Sequence, residues 1–289
     1  SVIAVKKGAE LTIQDSSEAK TGTIQDGKGT RDRWGWAVDS TDTRTFGGGL
    51  FIEGTVTLEN GSITKNDAQI GAGVYIGNGG AFYMKGGKIT ANLRDAGVYI
   101  YAPEHGRTDN GGGTFELSGG EISANAVRGV TMRGHYSKFR MNDGTICDHK
   151  SNNPGTGVWI SYASRFTMTG GEICNNTTNG AGGGLYADST SKIDLLGGSI
   201  TGNKSTNEAY AGAGVYYNSN SYNKNISNSA SGEYAHLTLK GTKVYGNYAG
   251  LYEREIYLRA NAYVEYLSPA EEMGQGWDCW YDFYSSAEL

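Results

Sequence analysis

Proline is almost missing, with 3 residues in 289. A chain this poor in proline rarely has to give up a backbone donor, so long runs of strands paired on both edges are open to it. Cysteine is as scarce at 3 and histidine numbers only 4. No Cys-x-x-Cys or Cys/His spacing suited to a metal occurs, so neither a structural zinc nor a cofactor is expected. No apolar run long enough to cross a bilayer and no lipidation or secretion signal is present, so this stretch of chain is not expected to insert into a membrane. Lysine and arginine total 25 against 30 acidic residues, a formal net charge of −5. The cations are scattered along the sequence, whereas a nucleic-acid binder would show a basic stripe, so no nucleic-acid partner is expected. No helical period is sustained before the C-terminus.

What the chain has instead is glycine, 46 residues of it, and repetition. A nine-residue phrase, apolar-x-x-Gly-x-Ile-x-x-Asn, is written seven times: LENGSITKN, MKGGKITAN, LSGGEISAN, MNDGTICDH, MTGGEICNN, LLGGSITGN and LKGTKVYGN. The step from the apolar residue to the Ile never slips: Leu58 to Ile63, Met84 to Ile89, Leu117 to Ile122, Met141 to Ile146, Met168 to Ile173, Leu195 to Ile200 and Leu239 to Val244. Ahead of each phrase stands a second motif, GLFI, GVYI, GVYI, GVTM, GVWI, GLYA, GVYY and finally GLYE, at more variable intervals. Insertions tolerated in some places and refused in others are how turns differ from strands, and self-similarity at this period marks a stacked repeat.

Each unit reads as three short strands. In the unit opening at Gly73, Val74 and Ile76 share a face, then Phe82 and Met84, then Ile89, with Gly86, Gly87 and Asn92 at the bends. The predicted fold is all-β, a right-handed single-stranded parallel β-helix of about eight to nine three-strand coils with terminal caps, roughly 40 Å long at the strand spacing. Residues 1–267 form the helix, with an irregular first coil over 1–46, whose core is Val5, Leu11, Ile13 and Ile24, and regular coils over 47–267. Residues 268–289, carrying Trp277, Trp280, Tyr281, Phe283 and Tyr284, form a C-terminal cap. Stacking aligns Phe82, Phe115, Phe139 and Phe166 inside, and Asn66, Asn92, Asn125, His149, Asn176, Asn203 and Asn247 at one bend. Cys147 and Cys174 fall at the same repeat position, within reach of a disulfide, while Cys279 has no mate. Arg31, Asp32, Arg33, Trp34 and Trp36 are expected to grip the first coil, the alternative being a second sugar site.

The alternation of GGGL, GAGV or GTGV with GxIxxN resembles the repeats of right-handed β-helix surface proteins of bacteria, among them the polymorphic outer-membrane family of chlamydiae. That resemblance covers roughly residues 47–250. It implies an adhesin-like module, secreted or on the bacterial cell surface, that is part of a larger surface protein and whose partner is a glycan or a host surface protein. The paired Asp motifs and Gly-His-Gly of polygalacturonase-like enzymes, the calcium Asp cluster and Arg of pectate lyases, and the calcium nonapeptide are not found.

Function is sought on the outer face. If Val74 and Ile76 point inward, Tyr75 points outward, and the same reasoning gives an exposed column of Phe51, Tyr75, Tyr99, Thr131, Trp159, Tyr186, Tyr216 and Tyr252. Thr131 interrupts it beside Arg133, between Tyr99 and Tyr101 on one side and Trp159 and Ser161 on the other. Such a notch suits an anionic or hydroxyl-rich glycan held by Tyr75, Tyr99, Tyr101, Arg133, Trp159, Tyr186, Asp188 and Tyr216. Enlarged bends at 102–113 and 218–236 are expected to bound it, roughly 19 Å apart. Glu104, His105, His135 and Asp188 are the candidates for acid and base if the alternative holds, a glycoside hydrolase or polysaccharide lyase in the same trough.

Overall fold

A computed structural model describes residues 1–19, 21–31, 44–77, 79–101, 112–134, 136–188, 191–209, 212–218, 236–259 and 263–266. The expected cap over 268–289, Asp32 to Trp36 and most of both enlarged bends lie outside them. The described chain is all-β without a helix, built of long parallel sheets.

The chain visits three main rows of strands in turn, and in its later repeats a short fourth. The first sheet has nine strands, starting with Ile3–Val5, Leu50–Ile52 and Val74–Ile76 and ending with Val215–Asn218 and Ile256–Arg259. The second sheet merges two rows, because Thr114–Ser123 and Lys138–Cys147 run on without a break where other repeats turn. A small third sheet follows the asparagine bend, and its last strand, Tyr252–Glu253, is antiparallel to Tyr248–Ala249.

Register follows the repeated phrase. Leu58, Met84, Leu117, Met141, Met168, Leu195 and Leu239 pair in sequence, as do Ile63, Ile89, Ile122, Ile146, Ile173, Ile200 and Val244. A one-residue slip would turn every one of these apolar side chains out of the core, which is why the spacing is invariant. Phe82, Phe115, Phe139 and Phe166 stack at centroid distances of 5.4, 4.8 and 4.9 Å inside this core. Each such pair contributes about 0.5–1.5 kcal/mol beyond the area it buries.

The asparagines form one buried, polarised chain of hydrogen bonds. Asn92 Nδ2 donates to Asn125 Oδ1 at 2.8 Å and to the Ile63 carbonyl at 3.1 Å, while its Oδ1 accepts from the backbone N and the Nδ2 of Asn66. The pattern recurs at Asn176 and Asn203. All four bonding positions of the Asn92, Asn125, Asn176, Asn203 and Asn247 amides are therefore used, the condition under which a polar group is buried cheaply. His149 takes one step of the chain: its Nε2 faces Asn125 Nδ2 at 3.2 Å and its Nδ1 faces Asn176 Oδ1 at 2.9 Å. Asn125 can only donate there, so Nε2 is the acceptor, the proton sits on Nδ1 and the ring is neutral. Burial pushes the His149 pKa down to about 4.

Cys147 and Cys174, in register on adjacent strands with Cα atoms 4.7 Å apart, are joined as a disulfide.

Candidate functional site

The outward row of the first sheet runs Phe51, Tyr75, Tyr99, Thr131, Trp159, Tyr186, Tyr216 and Tyr257. The last member is a correction. Tyr252 belongs instead to a hairpin that intervenes before the next strand of the row, because the GLYE segment turns back on Tyr248–Ala249 and the row resumes at Ile256 without its usual glycine.

Half of this column is not exposed, which is a second correction. Phe51, Tyr75, Tyr99 and Thr131 are buried at 1, 7, 9 and 1% exposure, and Tyr101, two residues on from Tyr99, is buried at 6%. Phe51, Tyr75, Tyr99 and Tyr101 form a second apolar cluster outside the sheet with Phe46, and Ile70 packs against it. Tyr75 stacks on Phe51 at 5.2 Å and meets the edge of Phe46 at 5.2 Å. Aromatic area of this size is worth more covered than wet, and Phe46 and Ile70, ahead of Gly47 and Gly71, fold back over the rings. Tyr75, Tyr99 and Tyr101 thus serve as packing and offer no ring face to a sugar. Burial and the nearby Asp95 carboxylate push the Tyr99 hydroxyl up to about 12.

Beyond Thr131 the column opens. Trp159, Tyr186, Tyr216 and Tyr257 are half-buried. Tyr186 stacks on Tyr216 at 5.3 Å and Tyr216 on Tyr257 at 4.8 Å, so these rings show solvent their edges more than their faces. Asp188 follows Tyr186 on the same strand, half-buried and in register with Asn218. Glu104, His105 and His135 lie outside the described residues, so of the four acid and base candidates only Asp188 is described.

At Thr131 the missing ring is replaced by guanidinium groups. Arg128 lies over Trp159, its Cζ 5.2 Å from the ring, and its Nε donates to the Pro154 carbonyl at 2.9 Å. Burial lowers the Arg128 pKa, opposed by the Asp95 carboxylate, whose own pKa burial raises against hydrogen bonds from Gly71 and Ala96. Arg133 hydrogen-bonds Tyr99 and its Cζ stands 5.9 Å from the ring of Tyr162. Thr131 itself is buried beneath, with no hydrogen-bond partner for its Oγ1.

Two tyrosines, Tyr136 and Tyr162, 51 and 37% exposed, lie in the bends that follow the outward row in consecutive repeats, Tyr162 beside Arg133. Their φ angles are 66° and 54°, in the left-handed region that costs a bulky residue about 1 kcal/mol or more. Sequence reasoning misses both, along with Arg128. The signal is an aromatic residue in a bend where the equivalent position elsewhere is small or glycine.

Of the other exposed large apolar side chains, Leu251 and Tyr252 sit on the hairpin near the end of the described chain, whereas Val2, Leu93, Leu196 and Tyr245 are scattered along it. No group of three or more metal-ligating side chains occurs among the described residues. No helix among them is long and apolar enough to cross a membrane. Comparison with protein-family models, with curated proteins and with solved structures gives no match.

Proposed function

We propose that this chain is a right-handed single-stranded parallel β-helix of eight to nine coils with terminal caps, similar in kind to bacterial surface repeats. It acts as an extracellular or cell-surface module that binds a glycan or a glycan-bearing host surface in an adhesin-like way. Three main rows of parallel strands visited in turn support the architecture. The Cys147–Cys174 disulfide supports maturation in an oxidising compartment.

One observation carries the binding reading: the break in the outward column at Thr131, with Trp159 in register beside it and Arg133 beside the exposed Tyr162, a tyrosine held at an unfavourable backbone angle. A solvent-facing tyrosine at positive φ contributes little packing and costs stability, and residues held this way cluster at ligand sites. In this reading Tyr162, Tyr136 and Trp159 supply stacking surface for a sugar, Arg133 donates to its hydroxyl or carboxylate oxygens, and Tyr186, Asp188 and Tyr216 line the continuation of the trough.

The test is a glycan screen with the wild-type chain and the variants Trp159→Ala and Tyr162→Ala. Retention of a glycan class that both variants lose, with a ligand-induced rise in melting temperature for wild type alone, is the expected result. Silence across mucin-type, plant-wall and bacterial glycans would end the proposal. Release of reducing ends from a retained glycan would move the reading to a glycoside hydrolase or lyase.

A further inference from the structure

Cations scattered along the sequence are gathered in space. On the outer side of the second sheet, Lys138, Arg165 and Lys192 stand in register on three consecutive strands, and the next position of the row is His236. Arg140, two residues along from Lys138, points to the same side. Lys138, Arg140 and Arg165 are exposed and Lys192 is half-buried.

Folding alone disfavours such a row, because like charges directly opposite on neighbouring strands, about 4.8 Å apart, repel. Compensation is partial. Arg165 Nη2 pairs with Asp194 Oδ2 at 3.1 Å, whereas Lys138, Arg140 and Lys192 make no ion pair among the described residues. Glu116, in register with Arg140, is engaged by Ser118 Oγ and Asn142 Nδ2. On a chain of net charge −5 this is a local excess of positive charge in a straight line.

We propose that the row binds a linear anionic polysaccharide laid along the stacking direction, its carboxylate or sulfate groups meeting Lys138, Arg165 and Lys192 in turn. The strand spacing that separates one cation-bearing residue from the next, about 4.8 Å, is close to the length of one sugar residue in an extended chain. The row is one side chain wide and roughly 10 Å long from first to last. A single glycan strand fits within it. A nucleic-acid duplex, with its charge on two separated backbones, would bring the second backbone against a surface whose net charge repels it. Arg165 offers a planar fork suited to carboxylate or sulfate, and the lysines serve as point charges.

This row lies on a different sheet from Trp159, and its test does not depend on the glycan reading of that face. The wild-type chain is loaded on immobilised heparin and eluted with rising sodium chloride, in the presence of soluble polygalacturonate, neutral dextran or duplex DNA. The variants are the pair Lys138→Gln with Lys192→Gln, the control Lys150→Gln on the small third sheet, and Trp159→Ala. Wild type is expected to be retained, displaced by polygalacturonate and not by dextran. The double variant is expected to bind about tenfold more weakly or worse, with its melting temperature unchanged or raised as the repulsion is relieved. Lys150→Gln is expected to elute with wild type, and a loss of retention in Trp159→Ala equal to that of the double variant would place the heparin site on the first sheet and overturn the proposal. Failure of wild type to bind, equal loss in Lys150→Gln, equal retention of the double variant, or stronger competition by DNA than by polygalacturonate would each overturn the proposal.

Discussion

Gly97 lies directly against the carboxamide of Asn125: a methyl group built on its Cα would meet Nδ2 at 2.6 Å. The same encounter recurs between Gly73 and Asn92 and between Gly157 and Asn176, both at 2.9 Å. The glycine that opens the second motif and the asparagine that closes the first are therefore one device, the absent side chain making room for the buried amide. Gly97→Ala is expected to cost about 1–3 kcal/mol, as overpacking of a filled interior does. Urea unfolding should show a lower midpoint with an unchanged slope; a variant as stable as wild type would mean the amide has room to move.

His149 gives stability a pH dependence of defined sign. Its folded pKa of about 4 lies below the ordinary 6.5, so between those values the unfolded chain holds the extra proton. The contribution is complete above pH 6.5 and is lost as pH falls toward 4, a difference of order 3 kcal/mol at 1.36 kcal/mol per unit. Asp95 acts in the opposite sense at the acid end, its raised pKa favouring the folded state as it protonates. Comparing wild type with His149→Asn isolates the histidine. The asparagine variant is expected to lose less stability between pH 6.5 and 4.5, and parallel pH profiles would refute the assignment.

Tyr162→Gly offers a trade of stability against binding. Glycine adopts a φ of 54° without the strain that a tyrosine carries there. The substitution is expected to raise stability by up to about 1 kcal/mol while abolishing retention of whatever glycan the screen identifies. A loss of stability would show that the ring packs rather than binds.

Reducing the Cys147–Cys174 disulfide releases a closed loop of 27 residues. Chain entropy then predicts a loss of up to about 3–4 kcal/mol. The bonded repeats are those that carry Arg133 with Tyr136 and Trp159 with Tyr162. Denaturation in the presence and absence of reductant, on a Cys279→Ser background, measures the effect, and coincident curves would count against the bond as a stabiliser.

The internal files are legible in the amino-acid sequence because their spacing is invariant: Leu58 to Ile63 and its six copies, the four stacked phenylalanines, and the asparagines interrupted by His149. Period and register are properties of the repeated phrase itself. The outer surface is less legible. Alternation correctly turns Tyr75 and Tyr99 away from the core, yet nothing in a strand pattern reveals that Phe46 and Ile70 fold over them. Tyr252 takes the place of Tyr257 in the sequence pattern because a hairpin copies the motif one step early. Tyr136 and Tyr162 sit in bends, where no period operates, and the row from Lys138 to Lys192 becomes visible only when three repeats are laid side by side.

The buried amide chain has a direction, since each member donates toward the next repeat and accepts from the one before. At one end its first step is taken by the Gly27 backbone N, which donates to Asn66 Oδ1 from a residue with no side chain to extend the series. At the other, Asn247 donates its backbone N and its Nδ2 to the two carboxylate oxygens of Glu255, a group that receives and cannot pass anything on. Between these two terminators every step but that of His149 presents the same donors and acceptors. A repeat closed by asparagine can therefore be duplicated or deleted without leaving an amide unmatched, so the hydrogen-bond chain itself sets no fixed number of repeats.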